Sequence, residues 1–155
     1  MSENFYRYQQ RRLAILLAWG LANTLGGSLG LLSRDPLWRQ FAGQAGAWGA
    51  IDAALAFVGR RGARSKELRL AQGELTPADQ RREAQRFRVI LLVNAGLDLL
   101  YIAGGARLAR QQRPDRRGIG LDIVVQGAFL LLYDSLLALE VGRRYAGGSE
   151  ETEKR

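Results

Sequence analysis

Four apolar stretches alternate with charged connectors along this chain. Residues 13–32 carry no charged side chain, 40–59 only Asp52, 89–106 only Asp98, and 118–139 only Asp122 and Asp134. Each is close to the roughly 20 residues a helix needs to cross a bilayer. Helices of a soluble bundle place charge every third or fourth residue and so keep a polar face. The stretch from Leu13 to Leu32 has no such face. The pattern predicts an all-α fold, a four-transmembrane-helix bundle in one domain over 1–145. The spans fall at about 13–32, 38–59, 88–107 and 118–141.

The connectors carry their own signals. Ser33-Arg34-Asp35-Pro36 is a tight turn between helices 1 and 2. In the 60–88 connector, Thr76-Pro77-Ala78-Asp79 offers an N-cap threonine, proline at the first helical position and an acid at the third. Gly73 suits the residue just past a helix C-terminus. Helix 2 is therefore expected to run to about Gln72 and helix 3 to begin near Pro77, a helical cytoplasmic extension between the two. Residues 146–155 have the composition of a disordered tail.

Charge changes the picture in one respect. The 155-residue chain has 23 Lys and Arg against 15 Asp and Glu, net +8, and a mean hydropathy of −0.16. The basic residues gather in the connectors, as in proteins held against anionic lipid, and no nucleic-acid motif accompanies them. The N-terminus, the 60–88 connector and the C-terminus hold three, nine and four of them, sixteen in all, and the two other turns hold two and five, seven in all. That asymmetry puts both termini in the cytoplasm, in a bacterial inner membrane. Arg7, Arg11 and Arg12 precede the first apolar run as in a signal peptide, but the run is too long for one, so the first helix is expected to be retained.

Cysteine and histidine are both absent. That removes disulfides, thiolate chemistry, His-held haem, the usual zinc sites and His-dependent nucleophiles. No cofactor or metal is expected, and Asp and Tyr alone leave too few general bases for an enzyme.

A weak repeat runs through the spans. Ile15-Leu16-Leu17, Trp19 and Asn23 in helix 1 correspond in position to Ile90-Leu91-Leu92, Asn94 and Asp98 in helix 3. Gln44 and Asp52 in helix 2 correspond to Gln126 and Asp134 in helix 4, and Gly59-Arg60-Arg61 to Gly142-Arg143-Arg144. Two parallel helix-hairpin repeats about an axis along the membrane normal would produce this.

Positions i, i+4 and i+8 share a helix face. That face holds Gln44, Trp48 and Asp52 on helix 2, and Asn94, Asp98 and Tyr101 on helix 3. Helix 4 puts Asp122, Gln126 and Tyr133 in one sector with Asp134 toward its edge, and helix 1 supplies Trp19, Asn23, Gly27 and Gly30. The polar faces should meet inside the bundle and the Leu, Ile, Val and Ala faces should meet lipid. Asp98 then lies near the membrane midplane, beyond reach of any Lys or Arg, while Asp122 lies near the outer end, where Arg116 or Arg117 could meet it. Trp38 reads as an interfacial anchor.

Residues 12–144 resemble small four-span bacterial membrane proteins catalogued only as domains of unknown function. The likeness rests on Trp48-Gly49-x-x-Asp52, Asn94-x-x-x-Asp98 and Gln126 with Tyr133-Asp134, and it implies no activity. The small multidrug exporters carry a membrane-embedded Glu in the first helix, where this chain has Asn23.

Acids at this depth usually mark an ion or proton path. The expected function is translocation of a small ion, proton or solute. Candidate binding residues are Asp52, Asp98, Asp134, Asn94, Gln44, Gln126, Tyr101 and Asn23. Four helices are few for a full path, so a homo-oligomer is expected. The alternative is a structural or assembly subunit of a membrane complex, in which the polar stripe only fixes packing. Either way the partner surface is the lipid bilayer or another membrane protein, and not nucleic acid.

Overall fold

The structure, a computed structural model, describes residues 3–146. It is all-α: helices α1 (Phe5–Gly30), α2 (Pro36–Ala71), α3 (Pro77–Ala109) and α4 (Pro114–Val141), with a π-helical turn, Gly142–Ala146, continuing α4. All four helices are long and apolar enough to cross a membrane. Of the tail expected over 146–155, Ala146 belongs to that last turn and the remainder lies outside the described residues.

The helix ends follow local chemistry. Pro36, Pro77 and Pro114 open α2, α3 and α4, where the missing N–H has no intrahelical acceptor to lose. The Asp35 carboxylate accepts from the Leu37 amide at 2.8 Å. Thr76 and Asp79 form a reciprocal capping box. Gly73 takes φ +77°, the left-handed region that ends α2 after Gln72. The helix carrying the first span starts well ahead of Leu13, because Asn4 caps it through the Arg7 amide and Phe5, Tyr6 and Tyr8 are buried.

Two hairpins, α1/α2 and α3/α4, are each closely packed, and they meet through α2 and α4. Glycine sets the close approach. A Cβ on Gly20 would sit 2.5 Å from the Ala53 nitrogen, and one on Gly27 2.5 Å from the Ala42 carbonyl oxygen. In the second hairpin a Cβ on Gly105 would sit 2.7 Å from the Ile123 side chain. Small residues at such seams let helix backbones touch where lipid supplies no hydrophobic drive.

The bundle is apolar outside and small or polar inside. Leu25, Leu29, Leu55, Leu100, Leu132 and Leu136 are all more than three-fifths exposed. The mid-bundle interior holds glycine, alanine and four aspartates. A water-soluble bundle would reverse this, so these faces meet lipid.

Among the described residues, the large apolar core lies at an end of the bundle. It joins Phe5, Tyr6 and Tyr8 of α1 to Ala84 and Leu91 of α3 and to Leu137, Ala138 and Val141 of α4. The Phe5 ring meets Phe87 at 5.9 Å and Tyr145 at 5.4 Å, and its amide donates to Gln80 Oε1 at 2.9 Å. The described N-terminus, the α2/α3 extension and the end of α4 thus share one end. Around them run Arg7–Glu67, Lys66–Glu83 and Arg12–Glu140 ion pairs.

This polar collar should respond to acid. Hydrogen bonding from Gln10, with help from Arg7, holds the Glu67 carboxyl below its ordinary 4.5. Thr76 holds the exposed Asp79 below 3.8. A carboxyl depressed in the folded state adds stability above its unfolded value and loses it as pH falls through the folded one. Amide protection factors over residues 76–80 should therefore be full at about pH 6 and fall below about pH 4. In Thr76→Ala that acid-dependent step should be absent; a protection profile flat with pH in the wild type would contradict the assignment.

Candidate functional site

Asp52 on α2, Asp98 on α3, and Asp122 and Asp134 on α4 are buried, at 6%, 4%, 0% and 6% exposure. Oδ2 of Asp52, Oδ2 of Asp98 and both oxygens of Asp122 accept no hydrogen bond among the described residues. None of the four aspartates belongs to a salt bridge among the described residues. An ion pair of Asp122 with Arg116 or Arg117 is not formed. Arg116 instead donates to Gln111, and Gly118 and Gly120 bury the start of α4 against the neighbouring helices.

Asp52, Asp98 and Asp134 lie within electrostatic reach of one another, with Asn94 beside Asp134. Asp134 thus joins the group instead of sitting at its edge. Helical-wheel position alone placed it there, and the approach of α2 and α3 to that side of α4 brings it in. The Asp98 backbone carbonyl lies opposite Gly127, so Asp98 is level with that turn of α4. At a rise of about 1.5 Å per residue, Asp122 is ~7.5 Å to one side of this level and Asp134 ~10 Å to the other. The acids form a ladder of ~18 Å along the bundle axis.

Beside the ladder, Gln126 joins α4 to α1. Its Oε1 accepts from Trp19 Nε1 at 2.9 Å and its Nε2 donates to Asn23 Oδ1 at 3.0 Å. Asn23 in turn donates to the Trp19 carbonyl at 2.9 Å. Trp19 stacks on Phe129 with ring centres 3.9 Å apart, and Phe129 stacks on Tyr133, whose hydroxyl donates to the Arg12 carbonyl. Trp19 therefore serves the amide of Gln126, not an acid.

Three candidates sit differently from expectation. Tyr101 is half exposed, its ring 6.2 Å from Trp48 at the mouth of a cleft instead of inside the bundle. Asn94 is exposed on α3. Gln44 is half-buried and makes no side-chain hydrogen bond among the described residues. For Tyr101 and Asn94 the reason is neighbour choice: α3 packs on α4, which turns the 94–101 edge partly outward.

The acids are spaced for electrostatic coupling. Among the described residues no group of three His, Cys, Asp or Glu side chains is placed to hold one metal ion. What the arrangement can do is hold and pass protons, or hold a single monovalent charge.

Lipid-facing leucines around a glycine-packed interior that carries acids define a polytopic membrane protein with a polar core. Residues 15–135 match the family of unknown function DUF6992, and the chain belongs to that family. No curated protein and no solved structure matches it.

Proposed function

We propose that the protein translocates protons, or a small cation in exchange for protons, across the bacterial inner membrane with both termini in the cytoplasm. The observation that carries this reading is the ladder of Asp122, Asp98, Asp52 and Asp134, buried and without cationic partners among the described residues. Unpaired carboxylates in an apolar bundle destabilise it. Their presence calls for a function that uses them. Protons can step along the ladder if water or a shifted side chain bridges gaps of ~7.5–10 Å. Gln44, Asn94 and Tyr101 would complete the path from its edges, while Asn23 and Gln126 hold α1 against it.

A specific feature also favours a partner. Asn94 lies beside Asp134 but on the exposed side of α3 within the membrane span, where the remaining polar edge of its amide suits a neighbouring helix better than lipid. A homo-oligomer provides that helix within the translocation reading. A structural or assembly subunit would do so without any transport.

The test is proton flux. The full chain reconstituted in vesicles with an internal pH dye and an imposed potassium diffusion potential should acidify or alkalinise the lumen. Asp98→Asn and Asp122→Asn should each reduce the rate about tenfold or more, since either breaks the ladder. Wild-type flux equal to that of empty vesicles, both under the potential alone and with an organic ammonium gradient imposed, would refute translocation and favour the assembly role.

A further inference from the structure

The internal repeat gives each hairpin a cleft, and the two clefts differ in one decisive residue. In the α1/α2 hairpin a cleft runs past Asn23, Gly26, Phe41 and Ala45. The repeat offsets carry these positions to Asp98, Tyr101, Ile123 and Gly127. Those four residues line the second cleft, between α2, α3 and α4. The Asn23 carbonyl is satisfied by Gln126. Its counterpart Asp98 is 96% buried by the complement of its 4% exposure, and its Oδ2 accepts nothing among the described residues. One half of the repeat is closed by an amide pair; in the other a carboxylate lies just behind the cleft wall, its unpartnered Oδ2 fully buried.

The second cleft is small and apolar. Its volume is about 150 Å³, and Ile123 and Leu130 form its walls. A cavity of about this volume holds one benzene-sized ring. Trp48 and Tyr101 stand together beside it, and the half-exposed Tyr101 puts its mouth on the outer surface of the bundle. Gln126 on the floor already donates to Asn23 and accepts from Trp19. An inorganic cation needs several oxygen ligands, and the cleft surface offers almost none. An organic ammonium needs only a counter-charge, aromatic faces and an apolar berth. The charged groups that face Asp98 from the neighbouring helices are Asp52 on α2 and Asp134 on α4, both acidic. The net field in the cleft therefore attracts a cation.

We infer that this cleft is a binding site, open toward the bilayer, for a lipophilic monovalent organic cation carrying about one ring. The ammonium sits between Trp48 and Tyr101, over the Asp98 carboxyl that lies just beneath the cleft wall, and the apolar body lies against Ile123 and Leu130. The inference deepens the translocation reading by naming the class of cation, and it rests on that reading only for the idea that the bound cation is exchanged for protons.

The probe is benzyltrimethylammonium, titrated calorimetrically into the full chain in lipid nanodiscs, with neopentylbenzene as its uncharged isostere. Saturable binding of the cation is expected, with the isostere about tenfold weaker or more, and Asp98→Asn should weaken the cation by a similar factor. Leu130→Trp, which fills the cleft without touching the acid, should also abolish binding and guards against misfolding of the aspartate variant. Equal affinity for cation and isostere, or unchanged binding in both variants, would overturn the site. Proton release measured in the same titration separates the two readings. Cation binding without release keeps the site and removes proton exchange. Proton titration that depends on Asp98 without any cation binding removes the site and keeps the proton path.

Discussion

Gly49→Leu should leave a chain that no longer assembles the α1/α2 hairpin. A Cβ at Gly49 would lie 2.6 Å from the Gly20 carbonyl oxygen, 2.7 Å from the Asn23 Cβ and 2.7 Å from the Thr24 nitrogen. Two of those atoms are backbone, so no side-chain rotation relieves the clash and the helices must separate. Separation also pulls Asn23 from Gln126 and exposes Asp52 on the adjoining turn. The loss should exceed about 4 kcal/mol, outside the usual range for a point substitution. Gly96→Leu is the matched control, because a Cβ there meets nothing within 4 Å. Thermal denaturation in detergent, followed by helix content and by protease sensitivity of the 31–35 turn, should show collapse for the first variant and near-wild-type behaviour for the second. Equal tolerance of both would mean that α1 and α2 are not held at glycine contact.

Asp98→Leu should make the protein more stable and functionally inert. The wild-type carboxyl group is buried with an oxygen that finds no donor among the described residues. Leaving such a group unsatisfied costs about 1–3 kcal/mol. Leucine removes that cost, its two methyl groups replacing the carboxyl oxygens, and the adjoining cleft has room for their slightly greater bulk. The melting temperature should rise by a few degrees, about 2–4 °C per kcal/mol for a chain of this size, while proton flux falls to background. Stability gained at the expense of activity is the signature of a site kept for use. A drop in melting temperature would assign Asp98 to packing.

Much of the architecture was legible because it is local. The capping box at Thr76 and Asp79, the Gly73 turn and the proline starts depend on a few adjacent residues, and all are present as read. The burial of Asp52, Asp98 and Gln126 follows from helical spacing within single helices. What a single helix does not contain is the identity of its neighbours. Tyr101 and Asn94 share the face of Asp98 yet are exposed, because α3 rests on α4 and touches α2 little. Asp134 joined the acids for the same reason. Arg116 and Arg117 in the preceding turn offer Asp122 a partner by sequence, but it is the most deeply buried of the four acids. The one sequence clue was its place a helical turn from Gln126. The early start of α1 was hidden because Arg7, Arg11 and Arg12 break the apolar run, while Phe5, Tyr6 and Tyr8 find their partners in α3 and α4, far along the chain.

That last separation has a consequence for biogenesis. Phe5 is hydrogen-bonded to a residue 75 positions later, and its aromatic neighbours need Leu137, Ala138 and Val141 from the final helix. A segment made early, α1, therefore finds its place only after α4 has been made. Until α4 has been inserted, Phe5, Tyr6 and Tyr8 have only the partial cover that α3 gives them, a mark that distinguishes a molecule lacking α4 from one that has it. A quality-control protease that recognises exposed aromatics would spare chains that carry α4 and remove those whose synthesis stopped before it.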